Sequence, residues 1–271
     1  MKRKNGGGKR ITKDFGMKLE NRTILITGGT SGIGLELARQ LLPRGNTVII
    51  TGRDPEKLDA TRQALAGVHT FQSDVSDPAA IVALHAKVLA RFPALDTLVN
   101  NAGIMRNLNL NQDRGLDDVT REIDINLSGP VRMAQQFLPH LKTRAGALIV
   151  NVSSGLAFVP LPISPVYCAT KAALHSFTQS LRVQLEGTSV TVVELAPPAV
   201  ETPLFRGGEF ANEMQNQKGM DVAVLAKHAI AGIEAGKLEI RPGLSNVLKL
   251  MSRIAPEFML ARMTKMGARR T

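Results

Sequence analysis

From residue 22 onward, short apolar runs rich in β-branched residues alternate with longer stretches whose apolar positions recur every three to four residues. The runs Thr23–Thr27, 47–51, 68–73, Thr97–Asn100, Ala147–Val152 and 190–194 predict strands, and 238–240 predicts a weaker one. Between them, 33–42, 55–66, 78–90, 119–141 and 166–185 predict helices. Strands this continuously apolar need cover on both faces. Alternation with helices then implies parallel strands joined by right-handed crossovers. No linker interrupts the pattern, so 17–245 reads as a single domain. The ends differ from it. Residues 1–16 read as a disordered basic leader, and Met17 opens the patterned part. Residues 246–271 read as a basic, Met-rich helical extension that Pro256 splits into two short helices.

Composition narrows this picture modestly. With 44% hydrophobic residues in 271, the chain can bury a large core, and no apolar run approaches a spanning helix. The basic start leads into Gly and Lys, which is no secretory signal. The single cysteine, Cys168, excludes an intrachain disulfide or a cysteine-cluster metal site, and a reducing cytoplasmic setting fits best. The net charge of +11 sits at the ends: 1–16 carry six Lys/Arg against one acid, and 237–271 carry eight against two. Between them acids and bases balance. Basic ends suit nucleic acid or an anionic membrane, but the patterned body carries no nucleic-acid motif. Solvated ends are the preferred reading.

The first strand runs into Thr27-Gly28-Gly29-Thr30-Ser31-Gly32-Ile33-Gly34, and a helix follows. Gly28 suits a tight turn, Gly32 the close approach of backbone to a ligand, and Gly34 close packing of helix on sheet. The helix start offers free N–H groups and partial positive charge to a pyrophosphate. The fold class expected is therefore α/β: a Rossmann-type doubly wound parallel β-sheet of six to seven strands flanked by helices. The second strand ends in Gly52-Arg53, where an acid would bind the ribose hydroxyls of NAD and an arginine accommodates the 2′-phosphate of NADP. NADP is favoured. Asp54, followed by Pro55, is expected to cap the next helix.

Tyr167 and Lys171 stand one helical turn apart, so one face carries both. An ammonium beside a phenol lowers the phenol's pKa, as an acid/base for alcohol–ketone interconversion requires. Ser153 and Ser154 end a strand; Asn100 to Gly103 and Ala196-Pro197 do the same. In an open parallel sheet these carboxyl ends share one rim.

Taken together these residues resemble the short-chain dehydrogenase/reductase family, in its single-domain branch of about 250 residues. The likeness rests on TGGTSGIG (27–34), SDVSD (73–77), LVNNAG (98–103), DINLSG (124–129), NVSS (151–154), YCATK (167–171) and LAPPAVETP (195–203). The resemblance implies Tyr167 as acid/base, Lys171 on the nicotinamide ribose, Ser154 on the substrate carbonyl, and Asn126 holding a water in a proton relay. It also implies a cofactor site drawn from Gly28, Thr30, Ser31, Gly32, Ile33, Gly34, Arg53, Asp74, Val75, Asn101, Ala102, Gly103, Pro197, Val200 and Thr202. Asp74 and Val75 would meet the adenine, and Val200 and Thr202 the nicotinamide amide. Where relatives carry Pro-Gly, this chain has Pro197-Pro198, similar to a small bacterial branch. Proline removes a backbone donor there.

The segment 204–220 would form a lid. Met105, Leu156, Phe158, Leu204 and Phe205 are expected to line an apolar substrate site, for a hydrophobic carbonyl or alcohol. His85, His140 and His175 read as ordinary helix residues, and no set of side chains has metal-ligand spacing. Cys168 reads as a packed small residue. The resemblance also implies a homodimer or homotetramer. The Met-rich tail could dock a second subunit, cover the cleft, or lie on a membrane, and subunit packing is the first expectation. An NADPH-binding sensor or scaffold with little turnover is the alternative function; intact Ser154, Tyr167 and Lys171 argue against it.

Overall fold

The computed structural model describes residues 17–207 and 217–267; the expected leader at 1–16 and the last four residues of the tail lie outside them. Seven parallel strands are described: β1 (Thr23–Thr27), β2 (Thr47–Gly52), β3 (His69–Gln72), β4 (Thr97–Asn100), β5 (Ala147–Val152), β6 (Val190–Leu195) and β7 (Glu239–Ile240). Their order is β3-β2-β1-β4-β5-β6-β7. The chain therefore reverses its direction of travel between β1 and β4, and a crevice opens at their carboxyl ends.

The helices are α1 (Gly32–Leu41), α2 (Pro55–Ala64), α3 (Pro78–Arg91), α4 (Leu116–Ile123), α5 (Gly129–Leu141), α6 (Pro165–Gln184), α7 (Pro203–Arg206), α8 (Val222–Glu234), α9 (Leu244–Ile254) and α10 (Pro256–Gly267). Two cores flank the sheet. Leu37 and Leu41 of α1 and Leu225 and Ile230 of α8 join the β1 and β6 side chains of one face. Leu84 of α3, Phe137 of α5 and Leu181 of α6 cover the other. This double cover explains why β1, β4 and β5 are buried at every position.

Helix starts follow local chemistry. Asp54 caps α2 as expected, accepting from the N–H groups of Glu56 and Lys57 at 3.0 and 3.2 Å. Asp77 and Asp221 do the same for α3 and α8. One expectation needs correction. The single helix predicted over 119–141 is two helices joined by a π-type turn, Asp124–Ser128, in which the Gly129 N–H bonds the Asp124 carbonyl. Pro130 has no N–H to return to the carbonyl of Asn126, so regular α-helical bonding fails there. The tail behaves as the sequence suggests, with Ala255 breaking α9 from α10 just before Pro256.

Candidate active site

One cavity of about 950 Å3 runs along the carboxyl ends of the strands. At one end it is walled by the turn after β1. Gly28 and Gly32 adopt φ of +64° and +53°, conformations that disfavour any side chain. A Cβ on Gly28 would lie 2.8 Å from the Ala102 Cα. Ser31 caps α1 in extended conformation and makes no side-chain cap bond, leaving the first N–H groups of a ten-residue helix without a capping side chain. Asn101 clamps this turn by donating to the carbonyls of Thr27 and Gly28 at 2.9 and 3.0 Å. The Thr27 hydroxyl receives the N–H groups of Asn101 and Ala102, both at 3.0 Å. Thr27 went unnoticed in the sequence because its role is to hold the rim from behind.

Thr30, Ser31, Ile33, Arg53, Asp74, Val75, Asn101, Ala102 and Gly103 line the same cavity. Arg53 lies 3.7 Å from Asp74 and remains half exposed. Asp74 accepts from the Ser76 N–H and hydroxyl at 2.9 and 2.7 Å, so it closes a turn while facing the cavity. Partial burial pushes its carboxyl upward, but Ser76 and the Arg53 and Arg121 charges outweigh this and hold it below the usual range. Gly34 does not line the cavity. A Cβ there would meet Asn101 Nδ2 at 2.5 Å and the Gly28 carbonyl at 2.6 Å, so its contribution is the close packing of α1 on the rim.

The middle of the cavity carries Ser154, Tyr167 and Lys171, all buried. Ser154 lies two residues past the end of β5 and caps a short 3-10 turn, accepting from the Leu156 N–H at 3.1 Å. Tyr167 and Lys171 come from the first two turns of α6. Lys171 Nζ donates to the Val152 carbonyl at 2.8 Å and lies 5.6 Å from the Tyr167 ring centroid. Burial lowers the Lys171 ammonium to about 8. Burial likewise pushes the Tyr167 phenol up, only partly opposed by a hydrogen bond from Ser154. The sequence suggested the reverse for Tyr167. The reason is geometric: Lys171 is directed at a backbone carbonyl, and desolvation outweighs its charge.

Asn126 is fully buried behind the rim and outside the cavity wall. Its side chain accepts from the Ile104 N–H at 2.9 Å and donates to the Ile104 carbonyl at 2.8 Å and to Thr170 Oγ1 at 3.3 Å. Both amide protons are therefore committed, to Ile104 and Thr170. Pro197 lines the cavity, and its carbonyl accepts from the Gly155 N–H at 2.8 Å. Pro198, beside it, lines the wall with no N–H to offer. Val200 and Thr202 complete this side, with Val200 bridged to Met220.

Met105, Leu156, Leu204 and Phe205 line the far end as expected. Phe158 does not. Its ring packs edge-on against His175, with centroids 5.1 Å apart, and under Lys249 Nζ at 5.2 Å. Of the expected lid at 204–220, residues 208–216 lie outside those described. Its two margins are tied by Glu201, which pairs with Arg206 and accepts from the Gly219 N–H, both at 2.6 Å.

Sequence reasoning gave the tail first to subunit packing. In the structure Leu248, Met251, Met259 and Met263 form the roof of the apolar end, the cleft-covering alternative for this tail. Their i, i+3 and i, i+4 spacing was the available signal. A second gathering escaped notice because its members are far apart in sequence. His175, Glu194 and Glu239 bring ligand-type atoms within 4.8 Å of one another. Charge pairing accounts for it: Glu239 receives Lys249 Nζ at 2.6 Å and also Arg241, and Glu194 receives His175 at 2.7 Å and the Ser153 hydroxyl at 2.5 Å. Cys168 is buried, accepts from the Leu161 N–H at 3.2 Å, and is pushed up by burial to about 11, which leaves it a protonated packing residue.

Comparison with known proteins gives consistent findings. The family model described as short chain dehydrogenase matches residues 22–212. The uncharacterized oxidoreductase DltE of Bacillus subtilis is 44% identical over 227 residues, covering 83% of this chain and 89% of that protein. A 3-ketoacyl-(acyl-carrier-protein) reductase from Brucella melitensis, solved with NADH, superposes with a TM-score of 0.74 at 29% identity, covering 84% of this chain and 100% of that one. A short-chain dehydrogenase from Sphingobium yanoikuyae, solved with NADPH, gives 0.76 at 27% identity, covering 92% and 97%.

Proposed function

The chain belongs to the short-chain dehydrogenase family and is an NAD(P)-dependent oxidoreductase, and from that premise we propose that it interconverts a carbonyl and an alcohol with NADP(H), with Tyr167 as acid/base. The observation that carries this reading is the single cavity whose wall joins the Gly28–Ile33 turn and Arg53 to Ser154, Tyr167 and Lys171. The turn fits a dinucleotide. Two positive-φ glycines remove side chains from the wall, and the start of α1 presents N–H groups and partial positive charge to a pyrophosphate. Arg53, half exposed and with no acid at position 52, suits a 2′-phosphate. A bound reduced nicotinamide supplies the hydride.

The rest is the work of the chain. The Ser154 hydroxyl donates to the substrate oxygen and stabilises negative charge as it develops there. Tyr167, held protonated by burial, gives its proton to that oxygen as the carbonyl carbon accepts the hydride. Lys171 spends one N–H on Val152 and keeps two donors, which suit the ribose hydroxyls. In the oxidative direction the same groups act in reverse, and the phenol must first lose its proton.

The wall beyond Tyr167 is largely apolar, with Met105, Leu156, Leu161, Leu248, Met251 and Met263. A hydrophobic carbonyl compound fits it better than a sugar or nucleotide. A panel of apolar and polar carbonyls, followed by NADPH consumption, tests the reading. We expect turnover of apolar carbonyls, and a loss of about 10²–10⁴-fold in Tyr167→Phe with NADPH binding retained. Arg53→Ala should lower the preference for NADPH over NADH by about tenfold, the scale of one charge-assisted bond at an exposed site. Binding without turnover across the panel would instead assign a sensing role.

A further inference from the structure

The α9–α10 pair has an inner edge in the cavity and an outer face that none of the described residues covers. Leu244, Val247, Leu250, Ile254, Phe258 and Leu260 are between 45% and 68% exposed. Six large apolar side chains on two adjoining helices form an unusual concentration for a surface. Among them stand Arg253, Arg262 and Lys265, all exposed and in no ion pair among the described residues, against one acid, Glu257. Residues 237–271 hold eight of the chain's basic residues and two acids, whereas the body from 17 to 236 is balanced.

Three of the exposed apolar residues, Leu244, Val247 and Phe258, also line the cavity, as does Arg262. The cavity therefore opens through the apolar face itself. We propose that this face rests on an anionic lipid bilayer, with the apolar side chains in the acyl boundary and the cations at the phosphate level, so that a lipid-soluble substrate enters between α9 and α10 without crossing water. Charge decides between this partner and a second copy of the chain. A symmetric contact would place this basic face against itself, whereas anionic headgroups complement it. The helices are too short and too amphipathic to span a bilayer, so the contact is peripheral. The surface argument is independent of the reaction proposed above. Only the identity of the entering substrate as an apolar carbonyl rests on that reading.

The test is co-sedimentation of the full chain with vesicles of phosphatidylcholine alone, or of phosphatidylcholine with phosphatidylglycerol. The expected result is retention at least about tenfold greater on the anionic vesicles, weakened by salt. Leu250→Asp with Ile254→Asp should abolish retention while turnover of a small water-soluble carbonyl stays unchanged, since neither residue lines the cavity. Arg253→Gln with Lys265→Gln should remove the preference for anionic lipid without touching the apolar contact, a control that stands if the aspartate variant folds poorly. No retention by the native chain, or equal retention by all three proteins, overturns the proposal. So does a dimer in analytical ultracentrifugation that the aspartate variant converts to monomer, which would assign the face to a second copy. Inactivity across the carbonyl panel would leave the vesicle result standing and sink only the reaction.

Discussion

Tyr167 and Lys171 share a helix face, yet their protonation is set by burial more than by each other. Lys171 lowered to about 8 means that the native chain releases a proton which the unfolded chain keeps until about 10.5. Below about pH 8 both states are protonated, and the cost of burying the ammonium is fully present. Between about 8 and about 10 the unfolded state binds more protons, so this group makes the fold more stable as pH rises. Lys171→Met should be more resistant to urea than the native chain at pH 7 and should lose that upward slope. Melts of both proteins across this window check it, and parallel slopes would refute it. Tyr167 acts in the opposite sense, but only above its ordinary value near 10. At this scale the sequence showed which side chains meet: the spacing of Tyr167 to Lys171, and of Gly28 to Gly34, is dictated by helix and turn geometry. It did not show where their hydrogen bonds go. Asn126 spends its amide on Ile104, and Phe158 turns toward His175. Those outcomes depend on partners 17 to 22 residues away in the chain.

At the scale of elements, strands were legible because burial on both faces leaves an apolar run that few other structures need. Boundaries moved by a residue or two, as at β2, which runs one residue beyond 51. The interruption between α4 and α5 was hidden inside an amphipathic pattern that continues through it. Only Pro130 marked the site, and proline is equally at home in a helix's first turn. Packing between elements gives the sharpest expectation here. Gly34→Val would push a side chain into the Gly28 carbonyl and Asn101, both fixed parts of the rim. A loss of about 1–3 kcal/mol in stability follows. Cofactor binding should fall with it, because the N–H groups of α1 would be displaced from the turn. Calorimetry with and without NADPH separates these effects, and unchanged affinity would remove Gly34 from the account of the site.

For the molecule as a whole, the sheet order places the turn after β1, the end of β5 and the start of α6 along one crevice, and the tail closes its apolar end. Met251 projects from α9 into that end. Met251→Trp should therefore raise KM for long apolar carbonyls by about tenfold, through overpacking, and leave small ones nearly unaffected. Steady-state kinetics on a chain-length series would show it, and uniform effects at all lengths would argue that α9 does not border the substrate. The sequence by itself determined the parallel sheet, the glycine turn after β1 and the serine, tyrosine and lysine of the candidate site, because each is a local pattern with a local cause. Tertiary structure alone decided what faces the tail, which carboxylates gather at His175, and how strongly burial shifts Tyr167 and Lys171. Those depend on contacts and desolvation between segments distant in the chain, and no spacing along one segment encodes them.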